Sequence, residues 1–342
     1  MTPLLPALLP MLLAGCGELS HECGDASDLP AVPSFDAEAI LPLYNDANPF
    51  VQLIGDSPTV HADSDAMIEG LLSQFQAQGM GVASTEWTVP IVVADASTDT
   101  FPVQLNARWA PFNTLLDVPI PAWSRPDPVA DGHLTIIDPA AGLEYDLWQF
   151  CFDGENASAS WGNIVALDGP GIFPQGLSAR GSGFALPNGV IWPQELQAGR
   201  IEHALVFSYD NTRSGGPVSP ATESDATGSG SNTIPEGARL QLDPALDVTT
   251  LGLDPWQVTV AVAMQEYGMI LGDDGGGITL YAVHPQSWPE GEAVYDGLLP
   301  ANTPFALFPD TFPIGSFRVL DFGDQNPDAS EDAEITFSDR FE

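Results

Sequence analysis

The sequence predicts a mainly β fold, a two-sheet sandwich with two peripheral helices. Its 342 residues include 33 glycines and 32 prolines, so turns are frequent and long helices are few. The hydrophobic content of 44% is that of a globular chain with a sizeable core, and not of a disordered one. In the short segments between the turn residues, apolar and polar residues alternate, which is the pattern of a half-buried strand.

The charge balance excludes one large class of partners. The chain carries 47 acidic residues against 8 basic ones, all arginines, for a net charge of -39. Such a surface repels DNA, RNA and anionic lipid, so we predict no nucleic-acid partner. A dense carboxylate shell is typical of a halophilic protein, which it keeps hydrated at high salt. The alternative interpretation is that the acidic surface binds a cationic partner.

The N-terminus is typical of an exported lipoprotein. Residues 4–13 form an apolar run of signal-peptide length, too short to span a bilayer. They lead into LAGC at 13–16, which resembles a bacterial lipobox. The resemblance implies removal of residues 1–15, acylation of Cys16 and anchoring at the cell envelope, in the outer membrane of a Gram-negative cell. Residues 1–3 carry no positive charge, so an apolar N-terminus that is not a signal is the alternative.

The remaining chain divides by composition. Residues 16–48 are rich in proline, alanine and acidic residues and read as a tether, 49–320 as a single β-rich domain, and 321–342 as an acidic tail. In an oxidising compartment Cys23 and Cys151 can form a disulfide that pins the tether to the domain. Two free thiols are the alternative.

The tail holds the only sequence motif that resembles a metal-binding site. Four positions resemble the start of a calcium loop: Asp324, Asn326, Asp328 and Asp332. Pro327 interrupts this motif and no glutamate closes it, so we interpret the segment as an acidic tail. The five histidines show no zinc spacing, so we predict no cofactor and no metal site, with calcium binding by the tail as the alternative.

The two helices have recognisable ends. The first is predicted over residues 62–79, with Asp63 or Ser64 as cap and Gly79 as terminator. The second is predicted over 254–267, with Asp254 as its cap. Strands are predicted, in order, at 87–94, 102–109, 133–138, 143–152, 200–209, 237–243, 269–272 and 277–283. The strands 133–138 and 143–152 should form one hairpin and the last two another, while 110–128 should be a covering loop.

The first hairpin carries the candidate catalytic side chains. If its apolar residues Leu134, Ile136, Tyr145 and Leu147 face the core, strand alternation groups the polar ones on the other face. That second face holds His133, Thr135, Glu144, Asp146 and Trp148. A histidine and two carboxylates suit acid–base chemistry, and an indole suits stacking against a sugar. An ordinary wet sheet face is the alternative.

Arginines supply the second group of candidates. Arg200 and Glu202 share one face of their predicted strand, while His203 lies on the apolar face, where a buried, hydrogen-bonded structural role fits best. Arg239 shares a polar face with Gln241, opposite Leu240 and Leu242. Arginine pairs well with carboxylates or hydroxyl-rich ligands, so Arg200, Glu202 and Arg239 are candidate substrate-binding residues. A ladder of cross-strand ion pairs is the alternative.

Arg180 differs from these because it lies in a glycine-rich loop, RGSG at 180–183. We predict that it neutralises charge on a substrate. The surrounding segment also carries a resemblance, through the strings GLSARGSGFAL (176–186), HALVFSY (203–209), PATESD (220–225), PEGARLQLDP (235–244) and QEYGM (265–269). These resemble an uncharacterised family of exported bacterial lipoproteins. The resemblance spans about residues 100–320 and implies a jelly-roll-like sandwich of the kind that many carbohydrate-active proteins use.

Three functions are compatible with these patterns. The first is a glycoside hydrolase or polysaccharide lyase that uses His133, Glu144, Asp146 and Arg180, with Tyr145 or Tyr267 as a second proton donor. The second is a non-catalytic binder that stacks a polysaccharide on Trp148, Trp161 or Trp192. The third is a structural or interaction lipoprotein of the envelope that binds no small ligand.

Overall fold

The protein is mainly β, with three sheets and few helices. A computed structural model describes residues 29–329. Over this range the α-helices are α1 (Ser64–Gln78), α2 (Pro193–Ala198) and α3 (Pro255–Glu266). Among the described residues, none of the helices combines the length and the apolar character needed to cross a bilayer.

Fifteen strands are formed within the described range. In chain order they are β1 (Met80–Ala83), β2 (Ile91–Val93), β3 (Thr100–Leu105), β4 (Thr114–Pro119), β5 (Leu134–Asp138), β6 (Leu143–Trp148), β7 (Cys151–Phe152), β8 (Ala157–Ala159), β9 (Trp161–Ala166), β10 (Leu205–Tyr209), β11 (Arg239–Leu242), β12 (Met269–Asp274), β13 (Ile278–Tyr281), β14 (Phe305–Leu307) and β15 (Phe317–Val319). The large sheet has the order β14-β1-β13-β10-β12-β11-β15, the second sheet β2-β5-β6-β9, and the third sheet β4-β3-β8-β7.

The three sheets are stacked in layers with apolar clusters between them. One cluster joins α1 and α3 to a face of the large sheet, through side chains such as Leu71, Val260 and Phe207. A second cluster lies between the other face of the large sheet and the second sheet. A third joins the second and third sheets, through side chains such as Ile136 and Val103. The second sheet is therefore covered on both faces.

The two predicted helices are confirmed. Asp63 occupies the N-cap of α1, and Gly79 ends the helix with a φ of 82°, a conformation that favours glycine. Asp254 caps α3 and forms a capping box with Gln257. The short helix α2 was not predicted, because its six residues fall within a proline- and glycine-rich stretch.

The predicted hairpin of 269–272 and 277–283 is wrong. Strands β12 and β13 are not neighbours, because β10 lies between them, parallel to β12 and antiparallel to β13. Leu205, Val206 and Phe207 of β10 are completely buried. A strand that is apolar on both faces takes a central place in a sheet, and this one separates two strands that are close in sequence.

Other predicted strands are present with changed limits. The strand predicted over 200–209 begins only at Leu205, and the loop predicted over 110–128 contains β4. The hairpin of β5 and β6 is confirmed, with Ile136 opposite Tyr145 and Thr135 opposite Asp146. Its predicted core side chains all join the third cluster.

Both segments flanking the predicted domain are in part packed onto it. Phe35 stacks on Trp288 with ring centroids 5.6 Å apart, and Tyr44 is buried, although 16–48 was predicted as a tether. At the other end, Gln325 donates to the carbonyl of Gly216, and Ala329 is buried, so the predicted tail begins later than residue 321. Cys151 is disulfide-bonded. Cys16 and Cys23 lie outside the described residues, as does Asp332.

Candidate functional site

A cavity of about 390 Å³ lies at the seam between the large and second sheets. The large sheet contributes the carboxyl ends of the parallel strands β10 and β12, through Ser208 and Asp273. The second sheet contributes the segments that enter its parallel strands β2 and β5, through Trp87 and His133. The volume falls near the lower end of the ~300–1,000 Å³ typical of small-molecule sites.

The floor of the cavity is rich in carboxyl groups. Asp273 and Asp274 come from the end of β12, and Asp131 from the turn before β5. Burial raises the pKa of Asp273 well above its ordinary value, and the nearby carboxylates of Asp225 and Asp131 raise it further, while Arg180 opposes them. The carboxyl of Asp273 is therefore held in its protonated form to an unusually high pH, which is what a general acid requires.

Arg180 is a buried cation in the wall of this cavity. Its side chain is only 2% exposed, and its Nη1 lies 3.8 Å from Oδ2 of Asp273. Nη2 donates to the carbonyl of Leu186 at 2.9 Å, and the guanidinium carbon lies 5.2 Å from the ring centroid of Tyr281. Arg180, predicted from its glycine-rich loop to neutralise charge on a substrate, therefore lies beside a carboxyl in the cavity wall. A guanidinium fixed by a carbonyl and a ring face can stabilise negative charge that develops on a bound ligand.

His133 also lines the cavity, next to Asp131 and Arg180. Burial lowers the pKa of His133 to about 4; the charge of Arg180 lowers it too, while Asp131 and the hydrogen bond with the backbone of Ala179 raise it. The imidazole is therefore neutral near pH 7, and it can accept a proton or a hydrogen bond but cannot act as a permanent cation.

Glu144 and Asp146 do not reach the cavity. Both are completely buried, because the segment that includes Phe184 and Leu186 covers this face of the second sheet. The prediction that they share a face with Thr135 is confirmed, since Thr135 donates to Oδ1 of Asp146 at 2.6 Å. The prediction that this face is open to a substrate is wrong. Alternation decides the side on which a residue lies, but it does not reveal what covers that side.

The two buried carboxyls differ in their protonation. Burial raises the pKa of Glu144 well above its ordinary value and that of Asp146 to about 6. The charge of Asp146 raises the pKa of Glu144 further, while hydrogen bonds from Thr135 and Leu186 lower that of Asp146, so Glu144 is the protonated partner. Tyr44 donates to Oε2 of Glu144 at 2.7 Å, and the amide of Leu186 donates to Oδ2 of Asp146 at 2.7 Å.

Trp148 is also outside the cavity, because it packs against the cluster between the second and third sheets. It is the last residue of β6, and the next residue, Gln149, has a φ of 52°, so alternation no longer holds there. Trp161 and Trp192 are buried, at 1% and 3% exposure, and are core residues that cannot stack a sugar. Tyr145 and Tyr267 are likewise buried among core side chains.

The predicted arginine cluster is not assembled. Arg200 lies at the surface and pairs with Glu202 at 3.4 Å and Glu266 at 2.8 Å. Arg239 donates to the main-chain carbonyls of Gln52 and Pro49, and burial lowers its pKa to about 10. Arg239 therefore holds the N-terminal segment, and Arg200 forms surface ion pairs; neither belongs to the ladder of cross-strand ion pairs given as the alternative.

His203 has the structural role predicted for it. Its Nε2 lies 3.1 Å from Oε1 of Glu195, and its Nδ1 contacts the carbonyl of Ala204 at 2.8 Å. Leu240 and Leu242 are buried in the core as predicted, and Gln241 accepts a hydrogen bond from Arg318 instead of lining a site.

Of the residues that line the cavity, only His133 and Arg180 were predicted from the sequence. Those that were missed include Trp87, Asp131, Asp273 and Tyr281. Asp273 was assigned to a hairpin turn, and Trp87 to the beginning of a strand. One usable signal was the DDGGG run at 273–277, where adjacent carboxyls meet glycines that leave space beside them.

Among residues 29–329, no group of three or more histidine, cysteine or acidic side chains has the geometry to hold a metal ion. Comparison of the whole chain with protein-family models, with curated proteins and with solved structures finds no match.

Proposed function

We propose that the cavity binds a glycan and cleaves a glycosidic bond, on a protein that is exported and lipid-anchored at the cell envelope. One observation carries the catalytic part. A carboxyl with a raised pKa, Asp273, and a second carboxyl, Asp131, line the same small cavity as Arg180 and His133. Two carboxyl groups in different environments are the usual machinery of glycoside hydrolysis.

The roles follow from the environments. Asp273 is the general acid that protonates the leaving oxygen, since its proton is retained to an unusually high pH. Asp131 is the second carboxyl, which acts as base or nucleophile, and its charge raises the pKa of Asp273. Neutral His133 and the hydroxyl of Tyr281 offer hydrogen bonds to sugar hydroxyl groups. Arg180 stabilises negative charge that develops on oxygen.

The shape and lining favour a carbohydrate over other neutral ligands. Aromatic rings of Trp87, Tyr281 and Phe305 border the same space as the carboxyl groups. Sugars bind through this combination, because their ring faces are apolar while their edges carry hydroxyl groups. The second and third sheets pack face to face. For that part of the chain, this packing supports a jelly-roll-like sandwich of the kind that carbohydrate-active proteins use.

The catalytic proposal is tested with a chain that begins at residue 17, which lacks the predicted lipidation site but keeps Cys23. A glycan array identifies ligands, and mass spectrometry of the bound oligosaccharides identifies products. Asp273→Asn should keep binding and lose cleavage. The matched control is Asp296→Asn, because Asp296 is an exposed aspartate outside the cavity lining.

The outcomes separate three functions. Products with the wild-type chain and none with Asp273→Asn support hydrolysis. Binding without products in either chain supports a non-catalytic binder and overturns hydrolysis. No binding to any glycan overturns the proposal and favours a structural or interaction lipoprotein of the envelope.

The anchoring part of the proposal has a test of its own. A palmitate analogue supplied to cells should label the full chain, and Cys16→Ser should abolish the label. Cys23→Ser should retain it, because Cys23 lies outside the lipobox. Equal labelling of Cys16→Ser and the wild type would disprove the anchor.

A further inference from the structure

Trp87 has an unusual combination of properties for a large apolar residue. It lines the cavity, and 41% of its surface is exposed. Its backbone has a φ of 60°, in the left-handed region that non-glycine residues rarely adopt. Strained residues of this kind cluster at functional sites, where the surrounding structure fixes them.

The surrounding structure does fix Trp87, through Asp127. Oδ2 of Asp127 accepts hydrogen bonds from the amides of Trp87 at 3.3 Å and Val129 at 3.4 Å, and Oδ1 accepts one from Thr88 at 3.4 Å. Asp127 is only 2% exposed. One buried carboxylate therefore connects the strained turn to the segment that leads towards Asp131.

A second contact secures the same turn to the large sheet. The hydroxyl of Thr88 donates to the carbonyl of Ala282, directly after β13. The carbonyl of Thr85 contacts Nε2 of His284 at 2.8 Å. The turn is thus held by the loop before β5 and by the large sheet, while 41% of Trp87 remains exposed beside the cavity.

We propose that Trp87 is the platform on which the apolar face of a sugar ring stacks, and that Asp127 is the positioning residue that holds the platform in place. This inference rests on the proposed function for the ligand class. The positioning of Trp87 by Asp127 is independent of it, because that part concerns only contacts within the chain.

The environment of Asp127 makes the positioning sensitive to pH. Burial raises the pKa of Asp127 to about 6; the amides of Thr88, Val129 and Trp87 lower it, and the charge of Asp131 raises it. Above that pH the ionised carboxylate holds the three amides. Below it, the protonated carboxyl has one oxygen less to offer as an acceptor, and the turn is held more weakly.

The positioning is tested without any ligand, by ¹⁹F NMR of protein labelled with 5-fluorotryptophan. Trp87→Phe identifies the resonance of Trp87 among those of the eight tryptophans. In the wild type this resonance should shift with a midpoint near pH 6. In Asp127→Asn it should be displaced or broadened at neutral pH, and the pH-dependent shift should disappear.

The matched control is Asp95→Asn. Asp95 also accepts the backbone amide of a turn, from Ser97 at 2.8 Å, but it is exposed and outside the cavity lining. The other seven resonances report whether the fold is intact. A Trp87 resonance that is unchanged in Asp127→Asn overturns the positioning role, and so does one that changes only together with all the others.

The platform is tested with an array of neutral and acidic oligosaccharides. Trp87→Ala should weaken binding of any retained oligosaccharide by about tenfold, and Trp87→Phe should restore most of it. Equal affinities of Trp87→Ala and the wild type overturn the platform. If the wild type binds no oligosaccharide while the resonance of Trp87 still depends on Asp127, the proposed function and the platform fail and the positioning role stands.

Discussion

Asp146 holds Arg180 through the backbone of a single residue, Leu186. The amide of Leu186 donates to Oδ2 of Asp146 at 2.7 Å, and the carbonyl of the same residue accepts from Nη2 of Arg180 at 2.9 Å. The buried carboxyl pair behind the cavity is thereby connected to the cation in its wall. Residues predicted to be catalytic are placed where they can orient a cavity residue without touching a ligand.

Asp146→Ala should release Arg180. The variant offers no acceptor to the buried amide of Leu186, and an unsatisfied buried donor costs about 1–3 kcal/mol of unfolding free energy. Phenylglyoxal modifies accessible arginines, and mass spectrometry locates the modified residues. Modification should increase at Arg180. It should not increase at Arg239, whose bonds to main-chain carbonyls do not involve Leu186.

Glu144→Gln is the matched control for that experiment. Its amide oxygen remains an acceptor for Tyr44, and the side chain is neutral, as protonated Glu144 is. Reactivity of Arg180 should therefore stay at the wild-type level. If both variants expose Arg180 equally, the link through Leu186 is wrong.

Hydrolysis should fall as pH rises through the raised pKa of Asp273, because only the protonated carboxyl acts as an acid. Removal of Arg180 takes away the charge that lowers this pKa, so Arg180→Gln should move the alkaline limb of the pH–rate profile to higher pH. Arg108→Gln is the control, since Arg108 is exposed and outside the cavity lining. A shift in the opposite direction would contradict the assigned interaction.

Asp127 should make the fold less stable as pH rises from about 4 to about 6. Its folded pKa of about 6 lies above its ordinary value of 3.8, so the folded state binds the proton more tightly. The associated stability is fully present below the unfolded pKa and is lost as pH rises through the folded one. Urea unfolding over this range should show a flatter pH dependence for Asp127→Asn than for the wild type. Parallel curves would exclude Asp127 as the source.

Arg239→Met should destabilise the fold more than Arg200→Met. Arg239 bonds the carbonyls of Pro49 and Gln52 and thereby fixes the N-terminal segment to β11, and hydrogen bonds from charged groups contribute about 1.5–3 kcal/mol each. Arg200 forms only surface ion pairs, whose loss costs about 0–1 kcal/mol. Thermal unfolding of both variants measures the difference. A larger loss for Arg200→Met would reverse these roles.

Local patterns were sufficient for part of this structure. Helices α1 and α3 follow from caps and terminators within a few residues, and the facing of Ile136 and Tyr145 follows from alternation alone. Both kinds of signal depend on neighbours in sequence, which is why they can be read without a structure.

The cavity could not be predicted in that way. Trp87, Asp131, Arg180 and Asp273 come from distant parts of the chain, and they meet only through the stacking of two sheets. Glu144 is buried by a segment some forty residues later in the chain. Strand alternation describes only neighbours in sequence and cannot predict this cover. Arg180 lines the cavity, and the local signal that singled it out in the sequence is its glycine-rich loop.

The position of β10 between β12 and β13 has a consequence for biogenesis. The connection at 275–277 must cross the end of β10, so Ser208, Asp273 and Thr279 become neighbours only after three strands have paired. Contacts between distant parts of a chain form late in folding. A chain that is still being synthesised therefore lacks this cavity until all three strands are in place.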